Sequence, residues 1–393
     1  MKKLANLLAS SLLGFTWGGP LKPIISLNKT QITQLLNKWK GSKIHSFRKS
    51  YNSVIKLCSY FYYTKINEQK RNPNWSAIQY KGDLGYKPVS HSAIQPLDIT
   101  NDITLSTDYL IIGTGCGGGV VASILSKNNK ELLIVEKGPF KMPMHLNHLE
   151  GDMHNTLYEQ RALLNSNDGS TSVLAGSCFG GGSTVNWAGA FQTPDYILHE
   201  WSRQYANPHF ESKEYTKGFD YVKQWTGIHS NLTKHNPQNQ LLWDIAQKQN
   251  LNPEIIPRNT KLNDQLNDHW QWVGQGYSSL GNSFRIKQST AVTFLEYAAQ
   301  RGSKILCDTE IQSIKIKNGK ATEAIGLHKS GHYVCIKAKH IVVAAGSIHS
   351  PAILKRSGIR HTALGKNLYL HPTAVISGVF EQKIDSWFGP MMT

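Results

Sequence analysis

Three glycines, Gly113, Gly115 and Gly118, stand in G-x-G-x-x-G spacing, and Glu136 follows eighteen residues after the last of them. That pattern suits the holding of a dinucleotide. Gly113 permits a tight turn, Gly115 lets a pyrophosphate approach the backbone, and Gly118 lets a helix pack closely on a strand. Thr114, Cys116 and Gly117 complete the turn. A carboxylate at 136 can accept hydrogen bonds from both hydroxyls of an adenosine ribose and would repel a 2′-phosphate, which disfavours NADP. The glycines themselves do not separate FAD from NAD.

A second cluster supplies more of the same chemistry. Gly180, Gly181 and Gly182 are consecutive, so the backbone there can approach a bulky ligand without Cβ collisions. Ser183, Thr184 and Asn186 then offer short polar side chains, and Trp187 and Phe191 follow. Gly346 is a third candidate, closing an apolar run at 341–345. Among sixteen histidines, His145, His148 and His154 cluster in a polar segment. In so polar a segment they read as exposed loop histidines, and no metal is expected.

These residues need elements to position them. Residues 109–112 form an apolar run of the kind buried on both faces of a parallel sheet, and Val120, Val121, Ile124 and Leu125 space a helix over about 117–127. Residues 132–135 make a second strand ending on Glu136. The free N–H groups and positive dipole end of the intervening helix favour a phosphate. Residues 195–300 read as largely helical. Ile305, Leu306, Ile311, Ile314 and Ile316 then lead into Asn318-Gly319, a two-residue hairpin signal, and the meander continues through 321–329 and 333–338. Residues 341–345 read as a separate strand, with Ser350 and Pro351 as the N-cap and first residue of a short helix ended by Gly358.

The chain has 393 residues and a net charge of +17. Residues 1–75 hold thirteen Lys and Arg against Glu68, so the basicity belongs to an N-terminal arm. Within it Ile32, Leu35, Leu36 and Trp39 mark one helix face, and Phe47, Tyr51, Val54, Ile55, Cys58, Phe61 and Tyr62 mark a second. The run at 54–63 is too short to span a bilayer. Such a basic, aromatic helix pair can lie on an anionic membrane surface through residues 30–65, or dock its apolar face on the body of the protein. Nucleic acid is not expected, since no nucleic-acid module is present. Residues 72–106 read as an extended connection. Residues 1–15 resemble a signal peptide without a cleavage site, which leaves secretion as an alternative to a cytoplasmic, peripherally membrane-associated protein. Five scattered cysteines without C-x-x-C spacing point to a reducing compartment.

Taken together, the residues resemble the glucose-methanol-choline (GMC) oxidoreductases, flavoproteins that oxidise alcohols. Residues 346–359 are similar to that family's second signature, departing at Arg360 where glycine is usual, and residues 180–186 look like its first. Residues 183–187, Phe191 through Asp195, the helical stretch from Trp39 through Phe61, the Asn72-Pro73-Asn74-Trp75 that follows it and Lys287-Gln288-Ser289-Thr290 look more like the long-chain fatty alcohol oxidase branch. The resemblance implies an α/β fold: an FAD-binding Rossmann-like domain of GMC type with a β-meander, a helical N-terminal extension and an incomplete substrate domain. The divisions expected are 1–105 for the extension and connector, 106–195 and 301–372 for the two FAD-binding parts, 196–300 for a helical substrate-side segment, and 373–393 for the start of the substrate domain.

It further implies that FAD is the cofactor, with Gly113, Thr114, Gly115, Cys116, Gly117, Gly118 and Glu136 on its ADP part. Gly181, Gly182, Ser183 and Asn186 would lie along the pyrophosphate and flavin, and Gly346 would close over the nucleotide. The expected reaction is oxidation of an apolar long-chain primary alcohol to the aldehyde with dioxygen as acceptor. The family's catalytic histidine lies in a C-terminal portion, and no histidine here matches its motif, His349 and His371 included. No catalytic residue is therefore assigned, and activity is expected only with a complementing C-terminal polypeptide; a non-catalytic, membrane-associated FAD-binding remnant and one half of a split GMC alcohol dehydrogenase or oxidase are the alternatives.

Overall fold

The computed structural model describes residues 23, 26–86, 88, 92, 94–128, 130–167, 171–231, 234–371, 373 and 376–392. The signal-peptide reading of residues 1–15 lies outside them. The chain divides into two compact units, one within Met1–Gly82 and Asn165–Thr171, the other within Asp83–Leu164 and Ser172–Thr393.

In the first unit, helix α1 (Lys29–Lys40) starts at a capping box in which Asn28 and Gln31 satisfy each other's backbone N–H groups. It pairs with α2 (His45–Thr64) around Leu27, Leu35 and Trp39, against which Phe47, Tyr51 and Val54 pack. This is the 3.6-residue spacing read from the sequence. Beyond α2 the expected extended connection is instead a 3-10 turn at Pro73–Ile78, because Asn72 caps it and the Trp75 indole donates to the Tyr63 carbonyl at 2.8 Å.

The second unit is built on a six-stranded sheet. Its strands are β1 (Ile103–Ile112), β2 (Leu132–Val135), β5 (Lys304–Leu306), β6 (Thr309–Lys317), β7 (Lys320–His328) and β8 (Tyr333–Val343), while β3 (Ile228–His229) and β4 (Arg258–Asn259) form a separate pair. The order is β5-β2-β1-β8-β7-β6, parallel from β5 to β8 and antiparallel through β7 and β6. The helices of this unit are α3 (Cys116–Leu125), α4 (Glu150–Leu157), α5 (Gly182–Val185), α6 (Asp195–Gln204), α7 (Lys213–Thr226), α8 (Pro237–Lys248), α9 (Asp268–Gly274), α10 (Phe294–Gln300) and α11 (Gly346–Arg356).

Alternation along the central strands splits the core in two. Ile111, Leu132 and Ile134 join Ala122 of α3 and Leu295 and Ala298 of α10. Leu110, Ile112, Leu133 and Val135 join Ile311, Ile314, Ile336 and Ile353 of α11 on the opposite face. At the β6–β7 turn Asn318 and Gly319 both take positive φ, 50° and 76°, as a type I′ hairpin requires.

Three expectations change. Residues 304–306 do not lead the meander but pair in parallel with β2 at the opposite edge. Residues 333–343 are one continuous strand, since Lys339 and His340 find partners on β1: Lys339 Nζ lies 2.6 Å from Asp108, and the His340 ring stacks on Tyr109. Helix α11 begins at Gly346 rather than after Ser350, so Pro351 lies inside it. Gly346, at φ 76°, makes the turn that lets the helix start early.

Candidate dinucleotide site

The carboxyl ends of β1 and β8 bring the glycine turns together. A methyl group on Gly113, which sits at φ 104°, would lie 2.4 Å from the carbonyl oxygen of Ala344, just past β8. One on Gly118 would lie 2.0 Å from the carbonyl oxygen of Gly113, so helix α3 packs on the turn only because that position has no side chain. Gly181, at φ 53°, has the first turn as its neighbour, for its added methyl would meet Gly115 Cα at 3.0 Å. By contrast, a methyl at Gly115, Gly117, Gly182 or Gly346 has no neighbouring heavy atom within 4 Å. The turns thus approach one another at some glycines and present bare backbone to open space at the others.

Glu136 is buried where β2 ends. Its Oε2 accepts from the Thr114 N–H at 3.1 Å and from the Thr114 hydroxyl, and its Oε1 accepts from the Gly138 N–H at 2.8 Å. Burial pushes its pKa up, opposed by those hydrogen bonds. Thr114 Oγ1 in turn accepts from the Gly180 N–H at 2.9 Å, so one threonine links all three segments. Ser183 is buried, with its hydroxyl donating to the Gly180 carbonyl at 2.7 Å, whereas Gly182 and Asn186 are exposed. Cys116, at the first position of α3, is exposed as well.

Two side chains given no role in the sequence reading hold this arrangement. Thr290 donates its hydroxyl to the Thr114 carbonyl at 2.9 Å, and its N–H donates to Ser183 Oγ at 3.0 Å. Lys287, fully buried, donates to the carbonyl oxygens of Thr184 at 2.6 Å, Asn186 at 2.9 Å and Ser278. The sequence signal was the Lys287–Thr290 run itself, which has no periodicity to mark its polar groups as buried. A cleft of about 700 Å³ opens beside that run, lined by Trp225, Leu262, Gln288, Val292, Thr293 and Tyr297 among others.

The three clustered histidines are not all exposed loop residues, since His148 is buried and His154 lies on α4. His145 Nδ1 accepts from the Met142 N–H at 3.1 Å, His148 lies between Asp83 and Ser283, and the His154 ring meets Tyr158 edge-on. Among the described residues no group of three or more His, Cys, Asp or Glu side chains is placed to hold a metal. His349, on the first turns of α11, contacts Glu159 at 3.0 Å, and Lys137 Nζ contacts the same carboxylate oxygen at 2.5 Å. His349 and Lys137 together hold Glu159 down to about 2. His371 lies exposed in a stretch without regular structure. Among the described residues no helix is long and apolar enough to cross a membrane.

The family model described as GMC oxidoreductase matches residues 108–373. Long-chain-alcohol oxidase FAO1 of Arabidopsis thaliana is 28% identical over 403 residues, covering 91% of this chain and 52% of that protein. Long-chain-alcohol oxidase FAO3 of the same plant is 28% identical over 375 residues, covering 84% of this chain and 49% of that protein. The chain therefore spans about half the length of the curated relatives it matches. Among solved structures, a pyridoxine 4-oxidase from Mesorbium loti aligns with a TM-score of 0.46 at 15% identity, covering 64% of this chain and 52% of that one.

Proposed function

The chain belongs to the GMC oxidoreductase family, whose cofactor is FAD, and on that premise we propose that its converging glycine turns hold FAD for the oxidation of a long-chain alcohol. The observation that carries this is the pairing of Gly115 with Gly181, close enough for a single ligand to touch both while Gly115, Gly117, Gly182 and Gly346 face open space. Bare backbone of that kind fits a pyrophosphate, which no Cβ then obstructs.

In this reading Gly113, Thr114, Gly115, Cys116, Gly117 and Gly118 follow the pyrophosphate, with the N-terminal N–H groups of α3 directed to it. Glu136 receives the ribose through Oε1, which keeps a lone pair beside its bond from Gly138. Gly181, Gly182 and Asn186 run along the pyrophosphate and flavin. Ser183 acts through its backbone, because its hydroxyl is committed to Gly180 and Thr290. Gly346 closes over the nucleotide.

When bound, FAD supplies a hydride acceptor for the carbinol carbon. The relatives named long-chain-alcohol oxidases support a long-chain alcohol as substrate; that it is a primary alcohol and that dioxygen is the final acceptor are part of the proposal. Trp187 and Phe191, both exposed just beyond Asn186, offer apolar surface to such a substrate. No residue of this chain is assigned as the base. His349 is engaged by Glu159 and Lys137, and His371 stands in solvent. The base is proposed to come from the part of the relatives' length that this chain does not span, supplied as a C-terminal polypeptide.

The test is spectroscopic. Purified chain should bind FAD with a protein-perturbed flavin spectrum, and added C-terminal polypeptide of the family should yield hydrogen peroxide with a fatty alcohol. A folded chain that refuses FAD, or takes NAD in its place, sinks the reading.

A membrane surface is a second partner supported by the first unit. Helix α2 has no buried residue and exposes Ile44 beside it and Ile55, Phe61 and Tyr62 along it, with Lys43, Arg48 and Lys65 in the same stretch. Apolar area and cationic charge together favour an anionic interface. Sedimentation with phosphatidylserine vesicles at low salt, and release at high salt, is the expected result; indifference to vesicle charge would refute it.

A further inference from the structure

Lys287 has a geometry that a packing role does not account for. Its side chain is 2% exposed, and among the described residues no carboxylate lies within ion-pair distance of it. An ammonium has three N–H groups, and here three backbone carbonyls receive them: Thr184, Asn186 and Ser278. Two of those carbonyls lie at the C-terminal end of α5, where helical carbonyls have no partner within the helix and a cation is favoured. The third lies 92 residues further along the chain, so the ammonium joins two segments that share no backbone ladder.

The lysine is itself rigidly placed. Asn282 Oδ1 accepts from the N–H groups of Ile286 at 2.8 Å and Lys287 at 3.2 Å, and its amide donates to the Gly274 carbonyl at 2.7 Å. Just past Asn186, Ala188 takes φ 68°, a left-handed conformation that an L residue holds only where its surroundings fix it. The Asn259 N–H donating to the Ala188 carbonyl at 3.0 Å fixes it from the far side. The exposed residues between these two anchors are Asn186 and Trp187.

We propose that Lys287 is the positioning residue of the cofactor site: from the buried side its ammonium gathers the Thr184, Asn186 and Ser278 carbonyls and holds residues 180–186 in the shape that presents Gly182 and Asn186 to FAD. This rests on the reading of the site as an FAD site. Holding an unpaired cation in the interior is costly, and Met or Leu would fill the same space without that cost. What the cation adds is the simultaneous fixing of three carbonyls.

The clamp depends on charge. A neutral amine has two N–H groups and a lone pair, so one of the three carbonyls would face a lone pair and be repelled. Burial brings Lys287 down to about 7, which puts this change within the working range. The titratable groups around it are Cys178 and Tyr158, both pushed up by burial and therefore uncharged in that range. Tyr277 adjoins Ser278, and Arg258, tied to Gln275 and the Asn231 carbonyl, keeps its charge throughout.

The experiment titrates the 393-residue chain with FAD, following flavin fluorescence from about pH 6 to about pH 9. Wild-type affinity should fall as pH rises past the Lys287 transition. K287M should bind about 10- to 100-fold more weakly at the acid end, the loss expected for hydrogen bonds to a charged donor, with no pH transition. If K287M does not fold by circular dichroism, K287Q takes its place: it keeps two N–H groups without the charge and should likewise lose the transition. A variant that binds within about twofold of wild type, or keeps the wild-type pH profile, overturns the proposal. Wild type that takes no FAD at any pH overturns the FAD reading and this one with it, whereas loss confined to the Lys287 inference leaves the wild-type flavin spectrum in place.

Discussion

The hydroxyl of Thr290 donates to the carbonyl oxygen of Thr114 at 2.9 Å across 176 residues of chain, tying the segment after Lys287 to the first glycine turn. Around it the packing is close: a methyl on Gly119 would fall 2.8 Å from Thr290 Cβ. Thr290→Val keeps the shape and removes the hydroxyl, leaving the buried Thr114 carbonyl without that donor. The expected cost is about 1–3 kcal/mol, read as a lowered denaturation midpoint at unchanged slope. Unchanged stability would mean that the turn is held by its glycines alone.

Gly115 and Gly118 separate two uses of glycine. An added methyl at Gly118 collides with the Gly113 carbonyl at 2.0 Å, backbone against backbone, so Gly118→Ala must displace α3 from β1. It should destabilise the fold by about 3 kcal/mol or more. Gly115→Ala meets nothing within 4 Å and has φ −63°, open to any residue, so the melting temperature should hold while FAD affinity falls at least tenfold. If Gly115→Ala binds FAD as wild type does, the pyrophosphate does not lie over that turn.

How much of this was legible in the sequence follows from the range of the interactions. The first turn was, because Gly113, Gly118 and Glu136 belong to one local strand-helix-strand unit whose spacing is fixed by covalent geometry. Asn318-Gly319 was, because a two-residue hairpin carries its own dihedral demand. Strand β5 was not: three residues carry no period, and their pairing with β2 is a tertiary choice. The length of β8 was hidden by Lys339 and His340, polar residues that look like a break until Asp108 and Tyr109 appear beside them. Ser350 and Pro351 read as a helix start because that pair usually is one, and the turn at Gly346 starts the helix a full turn earlier. Lys287 and Thr290 stood in a run marked only by its resemblance, and nothing local showed what they hold, since their partners lie on other segments.

Trp39 tests whether the first unit stands on its own core. It is 1% exposed among Leu27, Leu35, Phe47, Tyr51 and Val54. Trp39→Ala should remove about 3–5 kcal/mol from that unit, seen as lost hydrogen-exchange protection along α1 and α2. FAD affinity should be unaffected, because the glycine turns belong to the other unit. A parallel loss of FAD binding would show that the two units fold as one.

Glu159 gives the acid limb of stability. The His349 contact and the Lys137 ion pair hold its pKa down to about 2 from an ordinary 4.5, and its side chain is 14% exposed. A carboxylate whose folded pKa is depressed contributes stability that is fully present above the unfolded value and is lost as pH falls from about 4.5 toward about 2. The gain connects the residue after Glu136 to the first turns of α11, two of the segments that frame the proposed site. Glu159→Gln should therefore lower stability by about 1–2 kcal/mol at neutral pH, after allowance for the partly exposed partners, and the gap from wild type should narrow as pH drops below about 4.5. Denaturant midpoints for both proteins at a series of pH values measure it. A gap that stays constant into acid would mean that Glu159 acts by packing rather than by charge.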